Sequence, residues 1–169
     1  MNRKIYISNE QFWLAEYIVS LDEEANYECW QDIDTQKGYN YKPDFTFEEF
    51  INTSKRARFE AVAVRKSDFS VIGVVSLSPE GCLPDLAIML FKPYRGMGYS
   101  TPVFKLALEY CFSAFGFDEI YAGCYEWNQK SLKMLKNCGF VPHPDGNCNE
   151  NHFLNGTPVV QHDFVKHRY

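Results

Sequence analysis

The chain has 169 residues, 46% hydrophobic and 17% aromatic, which suits one globular domain spanning 1–169 and excludes a disordered chain. A formal charge of -5 and a pI near 5.4 disfavour nonspecific attraction to nucleic acid or an anionic membrane and favour a cationic or amine-bearing partner. No apolar run is long enough to span a bilayer, and the start Met1-Asn2-Arg3-Lys4-Ile5-Tyr6 lacks the apolar stretch of a secretory leader. A cytoplasmic protein is therefore expected, with its six cysteines reduced and the sequons at Asn52 and Asn155 unglycosylated.

Lys4 to Ser8 reads as a first strand. Ser8-Asn9-Glu10-Gln11 has capping-box spacing, and Phe12, Trp13, Tyr17, Ile18 and Leu21 follow at helical intervals, so a helix is expected there. A second helical piece runs from Ala25 to Ile33, and a polar, glycine-bearing link from Asp34 to Pro43 follows it. Thr46-Phe47-Glu48-Glu49 is another capping box, opening a short helix to about Arg56. The aromatics of this region are mostly core candidates, but Tyr39 and Tyr41, in the polar link, are candidates for substrate contact. Phe59 to Arg65 and Val71 to Leu77 alternate as strands of a hairpin joined through Lys66-Ser67-Asp68-Phe69-Ser70.

The most informative stretch runs from Pro84 to Phe115. Asp85-Leu86-Ala87-Ile88-Met89-Leu90-Phe91 is an apolar run about one buried strand long. The chain then crosses Arg95-Gly96-Met97-Gly98-Tyr99-Ser100 into a segment where Val103, Phe104, Ala107, Leu108, Cys111 and Phe112 share one helical face. Two glycines before a helix start, with Ser100 and Thr101 as cap candidates and Pro102 in the first turn, let the backbone approach an anion. Free N–H groups and the positive end of the helix dipole act together on a phosphate or pyrophosphate. No P-loop lysine-serine or lysine-threonine pair occurs at the required spacing. The dinucleotide fingerprint lacks its third glycine, and Asp118 and Glu119 precede the next strand, Ile120 to Tyr125, where a ribose-binding acid would end it.

Beyond that strand come Glu126-Trp127-Asn128-Gln129-Lys130-Ser131 and a helix ending in Gly139-Phe140. Phe153 to Val165 reads as closing strands about an Asn155-Gly156 turn. Arg95-Gly96-Met97-Gly98-Tyr99-Ser100 resembles the R/Q-x-x-G-x-G/A pyrophosphate loop of the GNAT N-acetyltransferase superfamily, and Asn128 to Phe140 resembles the N-x-x-S helix of its ribosomal-protein and amino-acid acetyltransferase branch. The resemblance implies a mixed, mostly antiparallel α/β sheet with splayed central strands and helices on both faces. It also implies acetyl-CoA as acyl donor, lying between the splayed strands. Met89, Leu90 and Phe91 would meet the pantetheine amides, Arg95, Gly96, Met97, Gly98, Tyr99 and Ser100 the pyrophosphate, and Asn128 and Ser131 the far wall.

The acceptor is then a primary amine on a small molecule or a protein N-terminus, attacking the thioester directly. Asp85, where many relatives carry an acidic residue, is the candidate general base, with Glu80 and Glu126 behind it. Leu135 stands where many relatives carry an acidic tyrosine, so Ser131 or Tyr125 is the candidate acid. A non-catalytic acyl-CoA-binding module on the same fold is the alternative. Cys138, His143, Cys148 and His152 have loosely zinc-like spacing, but Cys138 falls on the apolar face of its helix and no tight C-x-x-C pair exists, so no metal is expected.

Overall fold

The structure, a computed structural model, describes residues 3–53 and 57–169. Strand β1 (Ile5–Ser8) turns back at once into β2 (Phe12–Glu16), its antiparallel partner. The helix expected from Phe12 is thus a strand. Asn9 closes the turn, its Oδ1 accepting the N–H groups of Gln11 (2.9 Å) and Phe12 (2.8 Å). Phe12 and Leu14 are buried while Trp13 between them is half-buried, an alternation of two that the spaced aromatics also allow to be read as helical.

Helix α1 (Val19–Gln31) starts earlier than Ala25, because what it buries is largely polar: Asp22, Glu23 and Asn26 beside Cys29. Arg3 donates to the Asp22 carboxylate in a two-pronged pair at 2.6 and 2.7 Å. Asp32 separates α1 from α2 (Ile33–Tyr39), its carboxylate accepting the Thr35 N–H, and Asn40 ends α2 at a left-handed φ of 51°. The expected link from Asp34 is therefore helical as far as Tyr39. Helix α3 (Phe47–Thr53) keeps its capping box, with the Thr46 N–H on Glu49 at 2.7 Å and the Glu49 N–H on Thr46 Oγ1 at 3.3 Å. Residues 54–56, over which the helix is expected to run to about Arg56, lie outside the described residues.

Strands β3 (Phe59–Arg65), β4 (Val71–Leu77) and β5 (Leu86–Leu90) complete a five-stranded antiparallel sheet in the order β1-β2-β3-β4-β5. A 3-10 turn over Lys92–Tyr94 leads to α4 (Ser100–Phe115), then β6 (Glu119–Tyr125) and α5 (Gln129–Asn137). Gly139, at φ 80°, ends α5 in a Schellman motif: the Phe140 N–H reaches the Leu135 carbonyl and its own N–H the Lys136 carbonyl. Strands β7 (Val141–Pro142) and β8 (Cys148–Asn151) both pair with the long β9 (Pro158–His167), which also pairs with β6. Gly156 sits in the β8–β9 turn at φ 70°.

The two sheets part between β5 and β6. A single parallel bridge, Asp85 with Tyr121, joins them, with the Tyr121 N–H on the Pro84 carbonyl at 2.9 Å. On one face of the first sheet, α4 and α5 pack Val103, Phe104, Ala107, Cys111 and Leu135 against Leu14, Ala61, Ile72 and Leu86. On the other, Cys29, Trp30 and Tyr39 cover Val62, Val74 and Met89. The expected mixed, mostly antiparallel architecture with helices on both faces is the one present.

Candidate active site

The parting of β5 from β6 leaves backbone groups facing a cleft, and the register says which. The Phe91 N–H bonds the Ile72 carbonyl and the Ser78 N–H bonds the Asp85 carbonyl, so alternate residues of β5 bond to β4 and those between face away. Ile88 and Leu90 are the residues that face away. Their carbonyls are occupied, Ile88 by the Tyr39 hydroxyl (2.9 Å) and Leu90 by Arg95 Nε (2.8 Å), so their N–H groups are the outward donors of the strand. Among the expected trio, Leu90 thus presents its backbone to the cleft, while Met89 and Phe91 bond to β4. Ile88 joins Leu90 because of a register that composition cannot supply.

A cleft of about 440 Å³ begins at Arg95, Gly96 and Ser100 and runs along Ile88, Met89 and Leu90. Asn128, Lys130 and Ser131 form its other wall. Helix α2 roofs it with Thr35, Lys37 and Tyr39, which the expectation of a bare link missed except for Tyr39. Tyr41 instead packs edge-on against Trp30. Gly96 and Gly98 hold φ of 78° and 80°, so glycine is required there for conformation. Neither Ser100 nor Thr101 caps α4. Tyr99 is the N-cap and makes no side-chain cap bond, and no acidic residue lies in the first turn, which leaves the N–H groups of that turn without a side-chain acceptor. Tyr99 turns its hydroxyl away, to Arg65 at 2.9 Å, and Met97, Gly98, Tyr99 and Phe91 do not line the cleft.

The Arg95 guanidinium is committed to the scaffold. It pairs with Asp32 at 2.5 Å and donates to Thr35 Oγ1 at 2.7 Å, tying the glycine turn to α2. Burial alone would raise the Asp32 carboxyl, but Arg95 and Lys92 hold it down to about 2. Asn128 caps α5, accepting the Ser131 N–H at 3.2 Å, and its amide reaches the Gly38 carbonyl across the cleft at 3.5 Å.

The deep end, about 180 Å³, is lined by Asp85, Ala87, Gly123, Tyr125, Ser131 and Gln161, among others. Burial and the nearby Asp163 carboxylate push the Asp85 carboxyl up to about 6. Asp163 stands opposite Gly123 in the β6–β9 register and accepts from Gln161 at 3.0 Å. The Tyr125 hydroxyl lies 2.6 Å from Glu150 and 3.2 Å from Gln161, and burial raises its pKa. Glu80 and Glu126 are exposed and line neither space. Burial pushes the thiols of Cys111 up to about 12 and of Cys124 and Cys138 up to about 11, unlike a nucleophilic thiolate. Among the described residues no three His, Cys, Asp or Glu side chains gather to hold a metal ion, and no helix is long and apolar enough to cross a membrane.

The chain is thus a sheet opened at one seam, with an uncapped helix start beside it and a carboxylate at its inner end. The model of the acetyltransferase (GNAT) domain matches residues 13–141, and the chain belongs to this family. A curated spermidine N(1)-acetyltransferase of Vibrio cholerae is 22% identical over 110 residues, 65% of this chain and 62% of its own length, so the match spans under two thirds of that relative. The solved structure of spermidine N-acetyltransferase from Vibrio cholerae, in complex with CoA and spermine, superposes with a TM-score of 0.80 at 21% identity, covering 95% of this chain and 97% of that one. Ribosomal-protein-S5-alanine acetyltransferase from Vibrio fischeri superposes with a TM-score of 0.72 at 22% identity, covering 95% and 94%.

Proposed function

We propose that this acetyltransferase moves an acetyl group from acetyl-CoA to a primary amine, on a small molecule or a protein N-terminus, by direct attack on the thioester. The observation that carries this reading is the continuity of the cleft. It joins an uncapped helix start to the outward N–H groups of Ile88 and Leu90 and then to Asp85, three requirements of the reaction in order along one path. The pyrophosphate would lie on the first turn of α4, the pantetheine would run beside β5 as an added strand, and an outward N–H would polarise the thioester carbonyl. The arriving ammonium gives a proton to Asp85, whose raised pKa suits a base working near neutrality. The amine nitrogen then bonds to the carbonyl carbon, the carbon–sulfur bond breaks, and the thiolate takes a proton from the candidate donor Ser131, whose hydroxyl is restored by the proton that the nitrogen sheds on becoming an amide.

The CoA-bound neighbour and the acetyltransferase family support the donor, and the two relatives named above act on a polyamine and on a ribosomal protein by their names. Leu135, buried in the core where many relatives carry a tyrosine, favours a second reading: an acyl-CoA-binding module without turnover. Mixing the protein with acetyl-CoA and a panel of amines while following thiol release separates the two. Release that depends on an amine supports the enzyme, and CoA binding without release for any amine favours the module.

A further inference from the structure

A second cavity, also of about 180 Å³, lies under α1 on the sheet face opposite α4, with Asn26, Trp30, Tyr39, Phe50, Glu60 and Ser76 in its lining. It is too small for a whole ligand and of a size for an end group. Glu60, Ser76 and Ala87 stand directly opposite one another on β3, β4 and β5. This row crosses two strand spacings, about 10 Å, from Glu60 to the strand that borders the split. Ala87 and Tyr39 line both this cavity and the deep end that holds Asp85. The two spaces are therefore neighbours around one edge of β5.

Two of the polar groups here, Glu60 and Asn26, present acceptor oxygens with no donor to meet them. Glu60 has no hydrogen-bond or ion-pair partner among the described residues, and burial, with Glu23 and Asp22 nearby, raises its carboxyl. Asn26 is 3% exposed. The Tyr17 hydroxyl lies 2.6 Å from Glu23 and gives it its one proton, so Tyr17 must accept from Asn26 Nδ2 at 3.0 Å. That chain fixes the amide and leaves Asn26 Oδ1 buried with no partner. A buried orphan acceptor is costly unless a ligand or water supplies a donor. An ammonium supplies three donors and a charge, and Trp30, Tyr39 and Phe50 line the same space with aromatic rings, a residue type that favours a cation.

We propose that this cavity seats a second, remote ammonium of the acetyl acceptor, between Glu60, Asn26 and the aromatic wall, which makes the acceptor an aliphatic diamine or polyamine. The inference rests on the acetyltransferase reading above and adds to it the class of amine. The reacting nitrogen lies by Asp85, and the chain between the two nitrogens bends around Tyr39 and Ala87.

The test compares α,ω-diaminoalkanes of increasing length with n-alkylamines of the same length, as acceptors for wild type and Glu60→Gln. Wild type is expected to favour diamines of one length range over matching monoamines by about tenfold or more in kcat/KM. Glu60→Gln should bring that ratio toward one, chiefly through a higher KM for the diamine. Ser76→Leu, which narrows the cavity from the sheet side, should lower the same ratio and serves if Glu60→Gln does not fold. A diamine preference that survives both substitutions, or no preference in wild type, overturns the subsite while leaving the acetyltransferase reading intact. Wild type that releases no CoA with any amine overturns that reading and the subsite with it.

Discussion

Helices α4 and α1 cover opposite faces of one sheet and are held there by opposite chemistry. Helix α4 buries Val103, Phe104, Leu106, Ala107, Leu108 and Cys111, whereas α1 buries Asp22, Glu23, Asn26 and Cys29. The α4 side is held by apolar area, which is insensitive to pH and salt. The α1 side adds to its apolar contacts a set of buried charges and hydrogen bonds whose worth depends on both. One sheet thus carries tunable chemistry on its α1 face and fixed chemistry on its α4 face, and each half should fail in its own way.

The largest effect is expected from the apolar half. Phe104→Ala, at a side chain 1% exposed and packed on Phe140, should cost about 3–5 kcal/mol in urea unfolding, with no change in the shape of the stability–pH curve. Next comes Asp85, at the seam between the halves. Asp85→Asn should lower kcat/KM about 100-fold or more and remove the acidic limb of the rate profile near pH 6. A near-normal rate with the limb intact would eliminate Asp85 as the base.

On the polar half, Arg95→Ala should cost about 2 kcal/mol by stripping Asp32 of its closest partner. The Asp32 carboxyl is held at about 2 against an ordinary 3.8, so its contribution is present above pH 3.8 and is lost as pH falls through about 2. Acid unfolding of Arg95→Ala should show less of that loss, Lys92 and the Thr35 N–H keeping the remainder, and a curve parallel to wild type would show that Arg95 is not what lowers the group. Asn128→Ala should cost about 1 kcal/mol as a lost N-cap, and a rise in KM for acetyl-CoA beyond that would mark a contact with the cofactor as well. A pH-dependent effect is expected at Glu60. Its carboxyl is pushed up to about 7 from 4.5, first by burial and then by Glu23 and Asp22, so the fold is favoured below pH 4.5 and loses that contribution as pH rises through about 7. Glu60→Gln should flatten this decline in thermal scans across the window.

The same contrast decides what the sequence discloses. The α4 face could be read at once, because apolar residues at helical spacing have one explanation, and the glycine turn was visible because Gly96 and Gly98 adopt backbone that other residues avoid. Helix α1 hid its start because its buried residues are those that normally face water. Strand β2 was mistaken for helix because Phe12, Trp13 and Tyr17 satisfy either period, and only the Asn9 turn decides. Helix α2 was missed because Gly38 and its polar neighbours read as a link, although Asp32 and Thr35 have the spacing of a cap. Ile88, Gln161 and Asp163 join the site through strand register, which no local pattern carries.

The inner border of β5 has a further consequence. An unpaired strand normally offers donors and acceptors in alternation, and so invites any other strand, including one from a misfolded neighbour. Here Tyr39 and Arg95 have taken the carbonyls of Ile88 and Leu90, which converts that border into a row of donors alone. A polypeptide strand laid there would meet its own carbonyls well and leave its N–H groups without partners, at a cost for each one buried. A ligand rich in carbonyls and poor in donors meets no such penalty. Two side chains from opposite ends of the cleft thus let the molecule keep a sheet open through its middle without that opening becoming a site of self-association.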